Sequence, residues 1–350
     1  MALKESNRVQ FIDLAKGICI VQIVILHCLQ PLGNDLPLLD FLGYLRMPLY
    51  FCLSGMFYKD YSDFSAFFRK KFNKILLPFI AWYIIGYSIL FFRNIIMANP
   101  SHNDLHITDI FVADRIFNNP LWFLLSLFWT SILFRTIQIF SKNTLTQISS
   151  VVLLGITGIL MSDFQIRNFL YIGSSLTCLP FYYMGYFLSQ HTSLISKDFR
   201  KNDLILIVGC GLIVLVFTLL PVSIPALQYH LNVFSQGFLG FFYIFSASFV
   251  LSVILICKFL KRIPYISFLG RYSIIVLVTH MLIVYFVQGI LGRFINLDSI
   301  SEVLPYINIL VIFASMLIII PFCRRYFPYI CAQKELIKPK MSIKQGVSIN

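Results

Sequence analysis

The chain has 350 residues, of which 58% are hydrophobic and only 12% charged, with a mean hydropathy of +0.82. A water-soluble domain carries about a quarter charged residues, so this composition excludes one and points to a polytopic, all-α membrane protein. The net charge of +13 is spread among loops without an independent basic domain, which argues against a nucleic-acid partner and for membrane topology, with the lipid bilayer as partner.

Ten apolar segments are long enough to cross a hydrocarbon core as helices: approximately 9–29, 43–58, 76–96, 120–140, 145–162, 169–189, 203–220, 237–257, 268–290 and 304–322. The first carries its own charges, so it reads as a retained helix and not as a cleaved signal peptide. Lys and Arg placement tests the count. One alternate set of connecting segments holds 23 of them, and the other holds only Arg46, Arg93, Arg115, Arg167 and Arg293. By the positive-inside rule both termini are cytoplasmic and the number of spans is even. Residues 1–330 form one integral membrane domain. The basic segment 331–350 lacks apolar periodicity and is expected to be a disordered cytoplasmic tail.

The first span contains Asp13, Lys16 and His27. At about 100° per residue, Lys16 and His27 fall within roughly 20° of one helix face and Asp13 within about 60°. The Lys16–His27 separation is roughly 16 Å along the axis, about half a bilayer core. A charge at mid-membrane costs roughly 2.5–3.5 kcal/mol, so this stripe is expected to face protein or a water-filled cavity. The bland alternative is an i,i+3 Asp13–Lys16 pair with Lys16 reaching the headgroups, and a helix-end His27 satisfied locally. The runs 204–220 and 307–321, within the seventh and tenth spans, carry no ionisable side chain other than cysteine and read as lipid-facing or packing helices.

The remaining polar features are weaker. In the longest outer loop, 97–119, His102 and His106 are four residues apart, but turn-forming neighbours and the absence of an HExxH pattern favour a solvated loop. The eight cysteines lie in or beside apolar runs without a CxxC pair, so neither a disulfide framework nor a metal site is expected. Arg69, Lys70, Lys71 and Lys74 form a basic cluster on an inner loop, which suits either positive-inside anchoring or an anionic ligand. His280 falls inside the ninth span, where a polar side chain needs a partner.

FIDLAKG (11–17) with the following His27, MPLYFCLSG (47–55), KFNKILLP (71–78), PLWFLLSLF (120–128), LPFYYMGYFL (179–188) and FLGRYSIIVLVTH (268–280) together resemble, in order, the motifs of the integral membrane acyltransferases known as acyltransferase family three. Single motifs are loose; the ordered set covers most of the chain. The resemblance implies about ten transmembrane helices in a bacterial plasma membrane and O-acetylation of a cell-surface carbohydrate, with acetyl-CoA as donor. The family's basic residue and histidine, ten residues between them, fall on Lys16 and His27. Lys16 stands where many members have Arg, which keeps charge but loses the planar fork. The family's basic pair before a proline falls on Lys71 and Lys74 before Pro78.

Acyl transfer from a thioester needs a base for the attacking hydroxyl and a donor for the developing oxyanion. His27 is the candidate base, with Asp13 and Lys16 on the donor side. Arg69, Lys71 and Lys74 are candidates for the CoA phosphates, and Tyr44, Trp122 and His280 for lining the acceptor site. Ser54 could serve as a nucleophile on paper, but a packing role beside Gly55 is the expected one. The rival classes are a transporter of a small solute or glycan, since intramembrane charges also mark transport pathways, and a partner subunit whose polar groups fix helix packing.

Overall fold

The computed structural model describes residues 9–30, 37–61, 63–97, 107–111, 116–191, 199–220 and 223–337. Among them are ten helices of 19 to 23 residues: α1 (Gln10–Leu29), α2 (Pro37–Met56), α4 (Leu77–Met97), α5 (Trp122–Phe140), α6 (Thr144–Asp163), α7 (Ile172–His191), α8 (Lys201–Leu219), α9 (Leu239–Leu260), α11 (Ser273–Leu291) and α12 (Leu304–Tyr326). Two eight-residue helices, α3 (Phe64–Lys71) and α10 (Pro264–Arg271), lead into α4 and α11. Eight of the long helical stretches are apolar enough throughout to cross a membrane. Pro37–Met56 and Ile172–His191 fall outside that set because polar residues interrupt them, yet each has the length of a span. The chain is an all-α multi-pass membrane protein.

Three spans differ from the sequence expectation. The second begins at Pro37, six residues earlier than expected. The third is preceded by α3 and a π-helical turn, Phe72–Leu76, with the Asp63 side chain capping α3 through the Ala66 amide. The ninth breaks at Tyr272 into α10 and α11. Hydropathy sees one apolar run there because neither segment loses its apolar residues at the break.

Glycine pairs set the tightest helix crossings. A Cβ on Gly55 would lie 1.9 Å from the Tyr182 carbonyl oxygen, and one on Gly185 would lie 1.8 Å from the Cys52 oxygen, so α2 and α7 touch backbone to backbone. Gly17 and Gly270 join α1 and α10 the same way, with Cβ positions 2.0 Å from the Ile266 oxygen and 1.9 Å from the Asp13 oxygen. At the other extreme α8 is almost wholly exposed, with Leu204, Ile205, Leu212 and Leu215 turned outward. That agrees with its reading as a lipid-facing helix.

The polar contacts collect at the two ends of the bundle. At the end where α1 begins and α2 finishes, Arg135 and Lys142 pair with Asp60, and their hydrogen bonds hold its carboxyl below the usual carboxylate range. Lys258, fully buried, pairs with Asp203 at 2.7 Å. At the opposite end the 223–238 segment, with its two-residue strands β1 (Leu227–Gln228) and β2 (Val233–Phe234), is stitched to several helices. The Asn168 side chain donates to the His230 carbonyl at 2.9 Å, and the Phe234 amide donates to Ser162 Oγ at 2.9 Å.

Residues 331–337, expected to belong to a disordered tail, are instead packed on the bundle. Cys331 and Ala332 are buried, and residues 331–337 pack across α3 and α4; residues 338–350 lie outside the described set. The reason is Asn73, fully buried, whose Oδ1 accepts from the Leu336 and Ile337 amides and whose Nδ2 donates to the Ile337 carbonyl. Polar composition concealed a segment held by backbone hydrogen bonds. Asn73→Ala is expected to cost about 1–3 kcal/mol and to speed hydrogen exchange at Leu336 and Ile337. Glu335→Gln, which removes only the partly exposed ion pair to Lys70, is expected to cost about 1 kcal/mol at most. The Lys70 hydrogen bond lowers the Glu335 carboxyl. That contribution is therefore complete above the ordinary value of about 4.3 and is lost only as pH falls through the lowered one.

Candidate active site

The register of α1 against α2 follows from two hydrogen bonds. Cys19 Sγ donates to the Arg46 carbonyl at 2.8 Å, and Tyr50 OH donates to the Lys16 carbonyl at 3.2 Å. The helices are antiparallel, so His27, two turns beyond Cys19, comes level with the region of Leu39. Around it a cavity of about 250 Å³ opens, lined by His27, Gln30, Asp40, Gly43, Arg46, Met47, Asn119, Trp122, Gln228, Tyr229 and His230, with Ile23, Leu26, Leu39 and Leu227 as its apolar wall.

Each wall has a local cause. Trp122 opens α5 after Pro120, and its ring lies parallel to that of Tyr229, 15° between planes and 6.5 Å between centroids. Tyr229 is fixed by its hydroxyl, which donates to the Gly43 carbonyl at 3.2 Å, and by its carbonyl, which accepts from Ser174 Oγ. Behind His27 stands His280, fully buried, with ring centroids 5.5 Å apart. His280 Nδ1 lies 2.9 Å from the Val276 carbonyl, which can only accept, so Nδ1 carries the proton. Nε2 is then the acceptor, and among the described residues it has no hydrogen-bond partner.

The sequence-derived residues divide between the two ends of the bundle. His27 and Trp122 line the cavity and His280 backs it. Tyr44 does not line it; its hydroxyl donates to the Ile224 carbonyl at 2.8 Å and pins the 223–238 segment. Asp13 lines a separate pocket of about 110 Å³ with Gln10, Arg262, Ser267 and Arg271 at the other end of α1. The Lys16 ammonium lies 5.1 Å from the Phe57 ring centroid. The shared face of Lys16 and His27 does not become one shared cavity. Lys71 lies between the Phe67 and Tyr182 rings with Nζ 3.4 Å from Tyr182 OH, and Lys74 Nζ donates to the Ala332 carbonyl at 2.6 Å. Arg69 is half-buried beside them. His102 and His106 lie outside the described residues. Among the described residues no group of three or more His, Cys, Asp or Glu is placed to hold a metal.

A family model described as "Acyltransferase domain", that of acyltransferase family 3, matches residues 9–324. The chain belongs to acyltransferase family 3. Comparison with curated proteins and with solved structures finds no match. As a member of this family the chain is a membrane acyltransferase. The matched region takes in every residue lining the cavity as well as the Lys16 end of α1.

Sequence reasoning missed several cavity residues. Arg46 was grouped with the outer connecting segments, but it is buried inside α2. Its signal was available, since an arginine sits directly before MPLYFCLSG within a helix-length run. Tyr229 and His230 had no such signal, because they lie in the turn between two-residue strands too short for a periodic pattern.

Proposed function

We propose that the protein transfers an acetyl group from acetyl-CoA to a hydroxyl of a cell-surface carbohydrate or its lipid-linked precursor, in a bacterial plasma membrane with both termini cytoplasmic. The observation that carries this reading is the position of His27 in a cavity with parallel aromatic faces and several hydrogen-bonding side chains. Trp122 and Tyr229 offer flat apolar surface for a sugar ring, while Asn119, Gln228 and His230 offer donors and acceptors for its hydroxyls.

In this mechanism an unprotonated nitrogen of His27 takes the acceptor's hydroxyl proton as the oxygen attacks the thioester carbonyl. The new C–O ester bond forms, the C–S bond breaks, and the imidazolium returns the proton to the departing CoA sulfur. His280, with Nδ1–H held by Val276, packs behind the His27 ring and leaves its other nitrogen as an acceptor. CoA is anionic and cytosolic, so it approaches from the basic end, where Arg69, Lys71 and Lys74 attract its phosphates and Lys16 and Asp13 border the entry of the thioester arm.

Membranes containing the protein, incubated with acetyl-CoA labelled in the acetyl group and a panel of glycans, should yield a base-labile labelled glycan. Failure of every glycan to take label from acetyl-CoA or longer acyl-CoAs, with the protein folded, would overturn this reading and favour transport.

A further inference from the structure

Arg46 has no part in the steps above, yet it is the cavity's most unusual residue. It sits midway along α2, a helix with the length of a span, and is 8% exposed. Its backbone is level with Cys19, but its side chain turns toward the start of α2, where Nη1 donates to the Leu39 carbonyl at 2.8 Å. Leu39 is seven residues earlier in the helix, two turns away, which brings the guanidinium to the level of His27. Nη2 faces Gly43, where a Cβ would lie 3.5 Å from it, so the absent side chain leaves room on the cavity side.

A guanidinium has five N–H donors, and a buried one needs an anion or several acceptors. Asp40 is the carboxylate on the same cavity, but it is exposed, and no ion pair within 4.0 Å joins it to Arg46. Arg46 and His27 line the same cavity, so the guanidinium borders the space beside the imidazole.

We propose that Arg46 is the oxyanion donor of the acyl transfer. The assignment rests on the acyl-transfer reading above. As the acceptor oxygen bonds to the thioester carbon and its proton passes to His27, the carbonyl π pair moves onto the carbonyl oxygen. Arg46 N–H groups receive that charge. On collapse the pair returns to re-form C=O, the C–S bond breaks, and His27 gives its proton to the thiolate. Arg46 loses and gains no bond other than hydrogen bonds. A role in binding an acidic sugar fits less well, because the Asp40 carboxylate lines the same cavity and would repel one.

The test is steady-state kinetics of purified Arg46→Gln and Arg46→Lys beside His27→Ala, with rates normalised to folded protein by size exclusion. Arg46→Gln is expected to lower kcat by about 10²–10³-fold, as for other oxyanion donors, with both KM values changed by no more than about threefold. Arg46→Lys, which keeps charge but not the fork, is expected to fall between the two. Should Arg46→Gln not fold, Arg46→Lys decides alone, and wild-type kcat in it overturns the assignment. A loss confined to the KM of acidic acceptors overturns it also, in favour of acceptor binding. An inactive His27→Ala with a fully active Arg46→Gln defeats this assignment alone, whereas an inactive wild type defeats the acyl-transfer reading itself.

Discussion

Replacing His27 with alanine is expected to lower acyl transfer by roughly 10²–10⁴-fold, the contribution usual for a positioned general base. The loss should fall on kcat, because His27 is one of several side chains lining the cavity and the remainder keep the acceptor bound. Folding should survive: His27 lies in the last turn of α1, only half-buried, and its ring borders the cavity. His27→Gln, which keeps a polar side chain of similar length but cannot take a proton, should be as slow as His27→Ala. Activity in either variant at the wild-type rate per folded molecule would remove His27 from the mechanism.

The second large effect is on the fold. Gly185→Ala is expected to prevent accumulation of monodisperse protein, because the new methyl would stand 1.8 Å from the Cys52 carbonyl oxygen, and that neighbour is backbone of α2 and cannot turn aside. The helices must separate along a contact that also includes Gly55, and the cost should exceed about 4 kcal/mol, in the class of severe overpacking. Gly209→Ala is the matched control. Nothing lies within 4 Å of its would-be Cβ on exposed α8, so the higher helix propensity of alanine should make it neutral or stabilising by up to about 1 kcal/mol. Fluorescence-detected size exclusion after a heating series separates these outcomes. Equal melting of the two variants would mean that the α2–α7 contact is not close.

These glycines explain what the motifs encode. Gly55 ends MPLYFCLSG and Gly185 lies in LPFYYMGYFL; Gly17 ends FIDLAKG and Gly270 lies in FLGRYS. Four of the six motifs carry one of these glycines, and each pair brings two distant helices into backbone contact. The helix count was legible because hydrocarbon thickness sets span length, and alternating Lys and Arg content separates the two ends. Site assembly was less legible. Helical angle placed Lys16 and His27 on one face, but a long side chain can leave its own level, and Lys16 comes to rest by Phe57. Arg46 leaves its level in the opposite sense, toward Leu39 and the level of His27. The order of 331–337 depends on one buried asparagine more than 250 residues earlier, which no local pattern reports.

The most direct measurement is of sidedness. Sealed proteoliposomes of one orientation would receive labelled acetyl-CoA on the face bearing Arg69 and Lys16, and the glycan acceptor on the face where the His27 cavity lies. Label appearing on the glycan, and disappearing with His27→Ala, is the predicted result. Transfer only when donor and acceptor share the Arg69 face would contradict it, since the acceptor would then never meet His27 from the cavity.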